Sequence, residues 1–137
     1  MKPASEDKTR VLLVDDDRSF LELVYQTFAR LSQGSWEIFL ASEVATTSRL
    51  LKEQPVDLVV LDMRMPEISG LQLISILNRD YPSLLKVFLT GVAGEAERVA
   101  GLENGAALCL EKPDPLEGLQ SISATLNELV KWHRRQG

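Results

Sequence analysis

Val56-Asp57-Leu58-Val59-Val60-Leu61-Asp62-Met63-Arg64-Met65-Pro66 is the stretch on which the fold of this chain turns. Leu58 to Leu61 form an uninterrupted apolar run that stops on a carboxylate, Asp62, ahead of a turn containing Pro66. A short run of this kind predicts a strand buried on both faces, as in the middle of a parallel sheet. In open α/β sheets ligands collect beyond the carboxyl ends of the strands, so a carboxylate leaving such a strand is a candidate for chemistry. Taken alone, Asp62 reads more readily as a loop or cap residue. The segments on either side change that reading.

Upstream, Val11-Leu12-Leu13-Val14 is a second apolar run, and it too ends on carboxylates, Asp15, Asp16 and Asp17. From Ser19 a helical period places Phe20, Leu23, Val24, Phe28 and Leu31 on one face, closed by Gly34. Trp36 to Ala41 reads as a strand, and Ser42 as the cap of a helix carrying Val44, Ala45, Leu50 and Leu51, stopped by Pro55. Downstream of the central run, the turn Pro66-Glu67-Ile68-Ser69-Gly70 leads into a helix with Leu71, Ile74 and Leu77, ended by Tyr81-Pro82. Leu85 to Leu89 predicts a strand delivering Thr90. A short Ala-rich helix then spans about Gly94 to Asn104, before Gly105. Ala107 to Leu110 predicts the last strand, delivering Glu111-Lys112-Pro113. Pro115 opens a final helix with Leu116, Leu119, Ile122, Leu126, Leu129 and Val130 inward. Five βα units in succession imply a parallel sheet with helices on both faces, and right-handed crossovers leave few arrangements.

Composition limits the function classes. The chain has 137 residues, 45% hydrophobic and 26% charged, which fits one globular domain. No apolar run approaches the roughly 20 residues of a membrane span, and residues 1–8 lack the apolar core of a signal peptide. A single cysteine, Cys109, excludes an internal disulfide and suits a reducing, cytoplasmic setting. A net charge of −5 with scattered basic residues argues against direct nucleic-acid binding by this domain.

In a parallel sheet all strand ends emerge on one edge, which collects Asp15, Asp16, Asp62, Thr90 and Lys112. With a flavodoxin-like strand order of 2-1-3-4-5, strands one and three are neighbours at the switch point. Three adjacent carboxylates repel one another unless a cation joins them. A hard divalent ion with oxygen ligands, Mg²⁺, suits the cluster and leaves room for a phosphoryl group. Phosphoryl transfer needs its equatorial oxygens neutralised. Lys112 and the hydroxyl of Thr90 can each take one, which leaves Asp62 as the nucleophile of an aspartyl phosphate. Singly, each residue has an ordinary reading: a helix-capping turn for Asp15 to Asp17, a strand-end hydroxyl for Thr90, a surface charge for Lys112. Their joint placement on strand ends favours a site.

Val-Asp-Asp-Asp at 14–17, Leu-Asp-Met-Arg-Met-Pro at 61–66, Leu-Thr-Gly at 89–91 and Glu-Lys-Pro at 111–113 resemble the receiver domain of bacterial two-component response regulators. The resemblance covers residues 9–132 and extends to Gly70 and Gly105-Ala106. It implies a phosphorylation-dependent signalling switch, rather than an enzyme with an external substrate. The phosphoryl donor would be a sensor histidine kinase or a phosphotransfer protein, and Asp62 the acceptor. It further implies Asp16 as direct Mg²⁺ ligand, Asp15 as ligand through water, and the Arg64 backbone carbonyl as another. Thr90 would be the switch hydroxyl, Lys112 the phosphate-pairing cation, and the Lys112–Pro113 bond cis. Residues 1–8 would be an arm and 133–137 a tail or linker.

This chain departs from the family pattern in two places. Cys109 stands at the position of an aromatic lever on the last strand, and Asp114 replaces an aromatic after Lys-Pro. The expectation is that phosphorylation is retained while the aromatic readout is absent or rerouted. Arg64 puts a long cation beside the site, either shielding the phosphoryl group from water or simply solvated. His133 is read as neither phosphodonor nor ligand, Trp132 as a closing core contact, and Cys109 as a small buried hydrophobe. Two other readings are open: a degenerate receiver acting as a constitutive docking module, and a haloacid-dehalogenase-like phosphatase using Asp15. A flavodoxin is disfavoured, because the acidic loop after the first strand offers no phosphate cradle. No membrane partner is expected, and no motif specifies the downstream effector or a fused output domain.

Overall fold

A computed structural model describes residues 8–91 and 93–136. Apart from Lys8, the expected N-terminal arm lies outside the described residues. Five parallel strands alternate with five helices: β1 (Thr9–Val14), α1 (Arg18–Ser32), β2 (Trp36–Ala41), α2 (Val44–Glu53), β3 (Leu58–Leu61), α3 (Gly70–Asp80), β4 (Leu85–Thr90), α4 (Glu95–Glu103), β5 (Leu108–Glu111) and α5 (Leu119–Gln136). The sheet order is β2-β1-β3-β4-β5, as the sequence predicts.

Strand alternation divides the core into two layers. Val11, Leu13, Val60, Val87 and Leu89 face α1 and α5, meeting Leu21, Val24, Phe28, Leu119, Leu126 and Val130. Leu12, Val14, Val59, Leu61 and Phe88 face the other way, onto Leu51 of α2 and Leu73, Ile74 and Leu77 of α3. All four residues of β3 are buried, so the central run has helices on both sides. Phe28 meets Trp36 edge-on, with ring centroids 5.5 Å apart.

Several local expectations are corrected. Helix α1 is capped by Asp17, whose side chain accepts the Phe20 N–H, rather than beginning at Ser19. It closes through Gln33 at φ 52° and Gly34 at φ 85°. Ser42 does not cap α2; the cap position is Glu43, and the Val44 N–H donates instead to Glu67 in the loop after β3, at 3.2 Å. Leu116 lies in a 3-10 turn (Leu116–Gly118) before α5 and is exposed, because that turn breaks the helical register expected from Pro115. Trp132 is 51% exposed rather than core. At about 100° per residue it lies well round the helix from Val130, which takes the closing contact. The tail expected from residue 133 is helical through Gln136. His133 meets the Ser83 carbonyl at 3.1 Å, and Arg134 lies 3.5 Å from Asp57. The cis bond expected at Lys112–Pro113 falls at Asp114–Pro115. Both are X–Pro bonds with a small trans preference, so the sequence offers two candidates and does not choose between them.

Candidate functional site at the carboxyl edge of the sheet

The β1–β3 register pairs Val14 with Leu61, so the next residues of both strands leave side by side. The ladder runs one step further: the Asp62 N–H donates to the Val14 carbonyl at 3.0 Å and the Asp15 N–H to the Ala41 carbonyl at 3.1 Å. On the other side, Thr90 pairs with Glu111, and the Lys112 N–H donates to the Thr90 carbonyl at 2.7 Å. Backbone pairing therefore fixes where Asp15, Asp62, Thr90 and Lys112 leave the sheet, with Asp16 following Asp15 in the loop.

Asp62 is 6% exposed and Asp15 3%, whereas Asp16 lies open to solvent. The Thr90 hydroxyl, fully buried, donates to Asp62 Oδ1 at 2.7 Å, and the Arg64 backbone N–H reaches the same oxygen at 3.3 Å. Lys112 Nζ stands 2.7 Å from Asp15 Oδ2 and 3.5 Å from Asp62 Oδ2. One carboxylate oxygen from each of Asp15, Asp16 and Asp62 lies within 4.8 Å of the others. The structure thus brings Asp15, Asp16, Asp62, Thr90 and Lys112 together. Cys109 sits half-buried on β5 against the Phe88 layer, with burial pushing its thiol pKa up.

The electrostatics follow from burial and spacing. Burial raises the Asp15 carboxyl above its usual range; the Lys112 hydrogen bond and the Asp17 N–H pull against this, and the Asp62 charge adds to it. Burial works against the Lys112 ammonium, yet the Asp15 hydrogen bond and the charges of Asp15 and Asp62 outweigh it, so its pKa lies above the ordinary lysine value. A cluster of three carboxylates, two of them against one ammonium, is short of positive charge. Its donors are all hard oxygens, two of them buried and fixed, which fits a small divalent cation.

Sequence reasoning missed four participants. Phe20, read only as a core residue, lies under Lys112, with Nζ 4.4 Å from the ring centroid. The Asp17 N–H donates to Asp15 Oδ1 at 2.9 Å and orients that carboxylate. Glu97 of α4 meets the Arg64 guanidinium at 2.8 Å. Glu67 caps α2 from the loop that follows Asp62. An alternating pattern carries no signal for any of these, since each depends on loop conformation or on helices meeting across the edge. Asp17, the second carboxylate of the Asp-x-Asp spacing after the first strand, accepts the Phe20 N–H through Oδ1 as the cap of α1.

The response regulator receiver domain family model matches residues 11–123. The transcriptional regulatory protein GlrR of Escherichia coli is 31% identical over 90% of this chain and 28% of its own length. The response regulator MprA of a Mycobacterium species is 36% identical over 80% of this chain and 46% of its own. The chain therefore spans less than half the length of these relatives. In fold, it is similar to a CheY-like receiver domain protein from Methanospirillum hungatei, with a TM-score of 0.84, 22% identity and coverage of 95% and 99% of the two chains. Among the described residues no helix is long and apolar enough to cross a membrane. On sequence and fold together, this chain belongs to the receiver domains of response regulators, the signalling modules of two-component systems.

Proposed function

We propose that Asp62 is the phosphoacceptor, and that a sensor histidine kinase or phosphotransfer protein in the cytoplasm donates to it. The observation that carries this reading is the setting of Asp62: a buried carboxylate with a hydroxyl at 2.7 Å, an ammonium at 3.5 Å and two neighbouring carboxylates. In the transfer, an Asp62 oxygen forms a bond to phosphorus as the bond from phosphorus to the donor's imidazole nitrogen breaks. The electron pair of that bond returns to the imidazole, and the acyl phosphate carries the added charge.

Lys112 would pair with one phosphoryl oxygen by turning from Asp15, and the Thr90 hydroxyl would donate to another. The Arg64 N–H, donating to Asp62 Oδ1 at 3.3 Å, helps orient that carboxylate. Mg²⁺, held by Asp16, Asp62 and the Arg64 carbonyl with Asp15 through water, would supply the positive charge that the transferring group needs. The same groups would govern hydrolysis of the acyl phosphate, the domain's own return step.

Intact-mass spectrometry after incubation with acetyl phosphate and Mg²⁺ tests the reading. One phosphoryl adduct is expected, absent from Asp62→Asn and absent when EDTA replaces Mg²⁺. An adduct of equal yield on Asp62→Asn would overturn it.

A further inference from the structure

We propose that the Arg64 side chain is a further phosphoryl-binding group, held off the site by Glu97 until Asp62 is modified. The inference rests on Asp62 being the acceptor. Arg64 follows Asp62 by two residues, and its backbone N–H already donates to Asp62 Oδ1 at 3.3 Å. Its side chain therefore springs from the rim of the site, where a phosphoryl group on Asp62 falls within its reach. In the unmodified protein the guanidinium points across to α4, with Nη2 2.8 Å from Glu97 Oε1.

That oxygen has a second task. The Gly94 N–H donates to Glu97 Oε1 at 3.2 Å. Gly94 is the N-cap of α4 and has no side chain of its own to cap with, so the carboxylate of Glu97 supplies the cap by reaching back. One carboxylate oxygen thus ties Arg64 to the first turn of α4. This helix is short, and only Gly101 of its residues is buried, while Val99 and Leu102 stand exposed. An element with so few buried contacts responds readily to the loss of one.

The competition favours the modified site. An ion pair with both side chains exposed, 63% for Arg64 and 37% for Glu97, is weak. A guanidinium meeting a phosphoryl group makes shorter, charge-assisted and often paired hydrogen bonds. Phosphorylation adds negative charge to a cluster of three carboxylates, which Lys112 and the divalent cation the site would hold offset only in part. Arg64 then leaves Glu97 for the phosphoryl oxygens, and the α4 cap loses the cation that pins it. This gives a route from Asp62 to α4 that does not pass through position 109, where Cys109 has no ring to move.

Linkage makes the idea testable, because Glu97 and the phosphoryl group compete for one cation. Beryllofluoride with Mg²⁺ serves as the phosphoryl mimic, with binding followed by ¹⁹F NMR and titration calorimetry. Glu97→Gln keeps a capping side chain for Gly94 but gives up the charge that holds Arg64. It is expected to tighten beryllofluoride binding by roughly two- to fivefold, the range that an exposed ion pair is worth. Arg64→Ala is expected to weaken binding severalfold, and adding Glu97→Gln to Arg64→Ala should change nothing more. Amide exchange at Gly94 and Arg98 should rise on beryllofluoride binding in the unsubstituted protein and stay level in Arg64→Ala. Unchanged affinity in Glu97→Gln, or an effect that persists without Arg64, would overturn the inference while leaving Asp62 as acceptor. Beryllofluoride binding undiminished by Asp62→Asn would overturn the acceptor assignment and this inference together.

Discussion

Replacing Lys112 by methionine strands two buried carboxylates, and the cost can be worked from their surroundings. Lys112 Nζ is 2.7 Å from Asp15 and 3.5 Å from Asp62, which are 3% and 6% exposed. Removing one partner of a fully buried ion pair costs about 3–5 kcal/mol. Here the ammonium side chain keeps 21% of its exposure and Asp16 opens the cluster to water, so a loss of roughly 2–3 kcal/mol is expected. Methionine retains the packing over Phe20, which confines the change to charge. Urea unfolding in EDTA, followed by the fluorescence of buried Trp36, measures the loss.

Two features of that loss separate charge from packing. Asp15 already has a raised pKa, and losing Lys112 raises it further. A carboxyl whose folded pKa exceeds its unfolded value loses stability as pH climbs through the window between the two, and the variant has the wider window. The gap between the proteins is therefore largest above the folded pKa of Asp15 and closes as pH falls through it. Adding Asp15→Asn in the variant should recover at least about 1 kcal/mol, since the stranded charge is then gone. Mg²⁺ should stabilise the variant more than the unsubstituted protein, because no ammonium competes for Asp15. A loss below about 0.5 kcal/mol, or one undiminished by Asp15→Asn, would refute this account of the cluster.

Other substitutions probe the frame around the site. A Cβ at Gly70 would lie 2.5 Å from Met63 Cα and 2.6 Å from the Asp62 carbonyl oxygen. Backbone atoms cannot step aside, so Gly70→Ala should cost about 1–3 kcal/mol in urea unfolding despite the helix propensity gained, and should slow phosphorylation by acetyl phosphate. Thr90→Val removes the 2.7 Å hydrogen bond to Asp62; a destabilisation of about 1.5–3 kcal/mol is expected, with a slower approach to the phosphorylated mass. Lys86 is 2% exposed and donates to the Leu84 and Tyr81 carbonyls at 2.7 and 3.0 Å, while burial lowers its pKa below 10.5. Its unfolded form binds more protons between the lowered value and 10.5, so stability from this group rises with pH across that window. Lys86→Met should lack the rise, and equal slopes for the two proteins in urea unfolding against pH would contradict the assignment.

The apolar runs at 11–14 and 58–61 and the carboxylates that end them determine the strands, and the spacing of five such units determines a parallel sheet. Because every strand of a parallel sheet exits on one edge, the sequence also determines that Asp15, Asp16, Asp62, Thr90 and Lys112 share that edge, and the strand order 2-1-3-4-5 gathers them at its centre. That is a consequence of backbone geometry, which a local pattern can report. What the tertiary structure decided are the relations between elements that share no pattern. It set Lys112 on Asp15 rather than midway between the two carboxylates, slid Phe20 beneath it, and turned Trp132 outward by helix phase. It also aimed Arg64 at Glu97 and gave the cap of α2 to Glu67. Side chains that cross from one loop to another helix are fixed by packing and charge in three dimensions. Linear spacing holds no record of either.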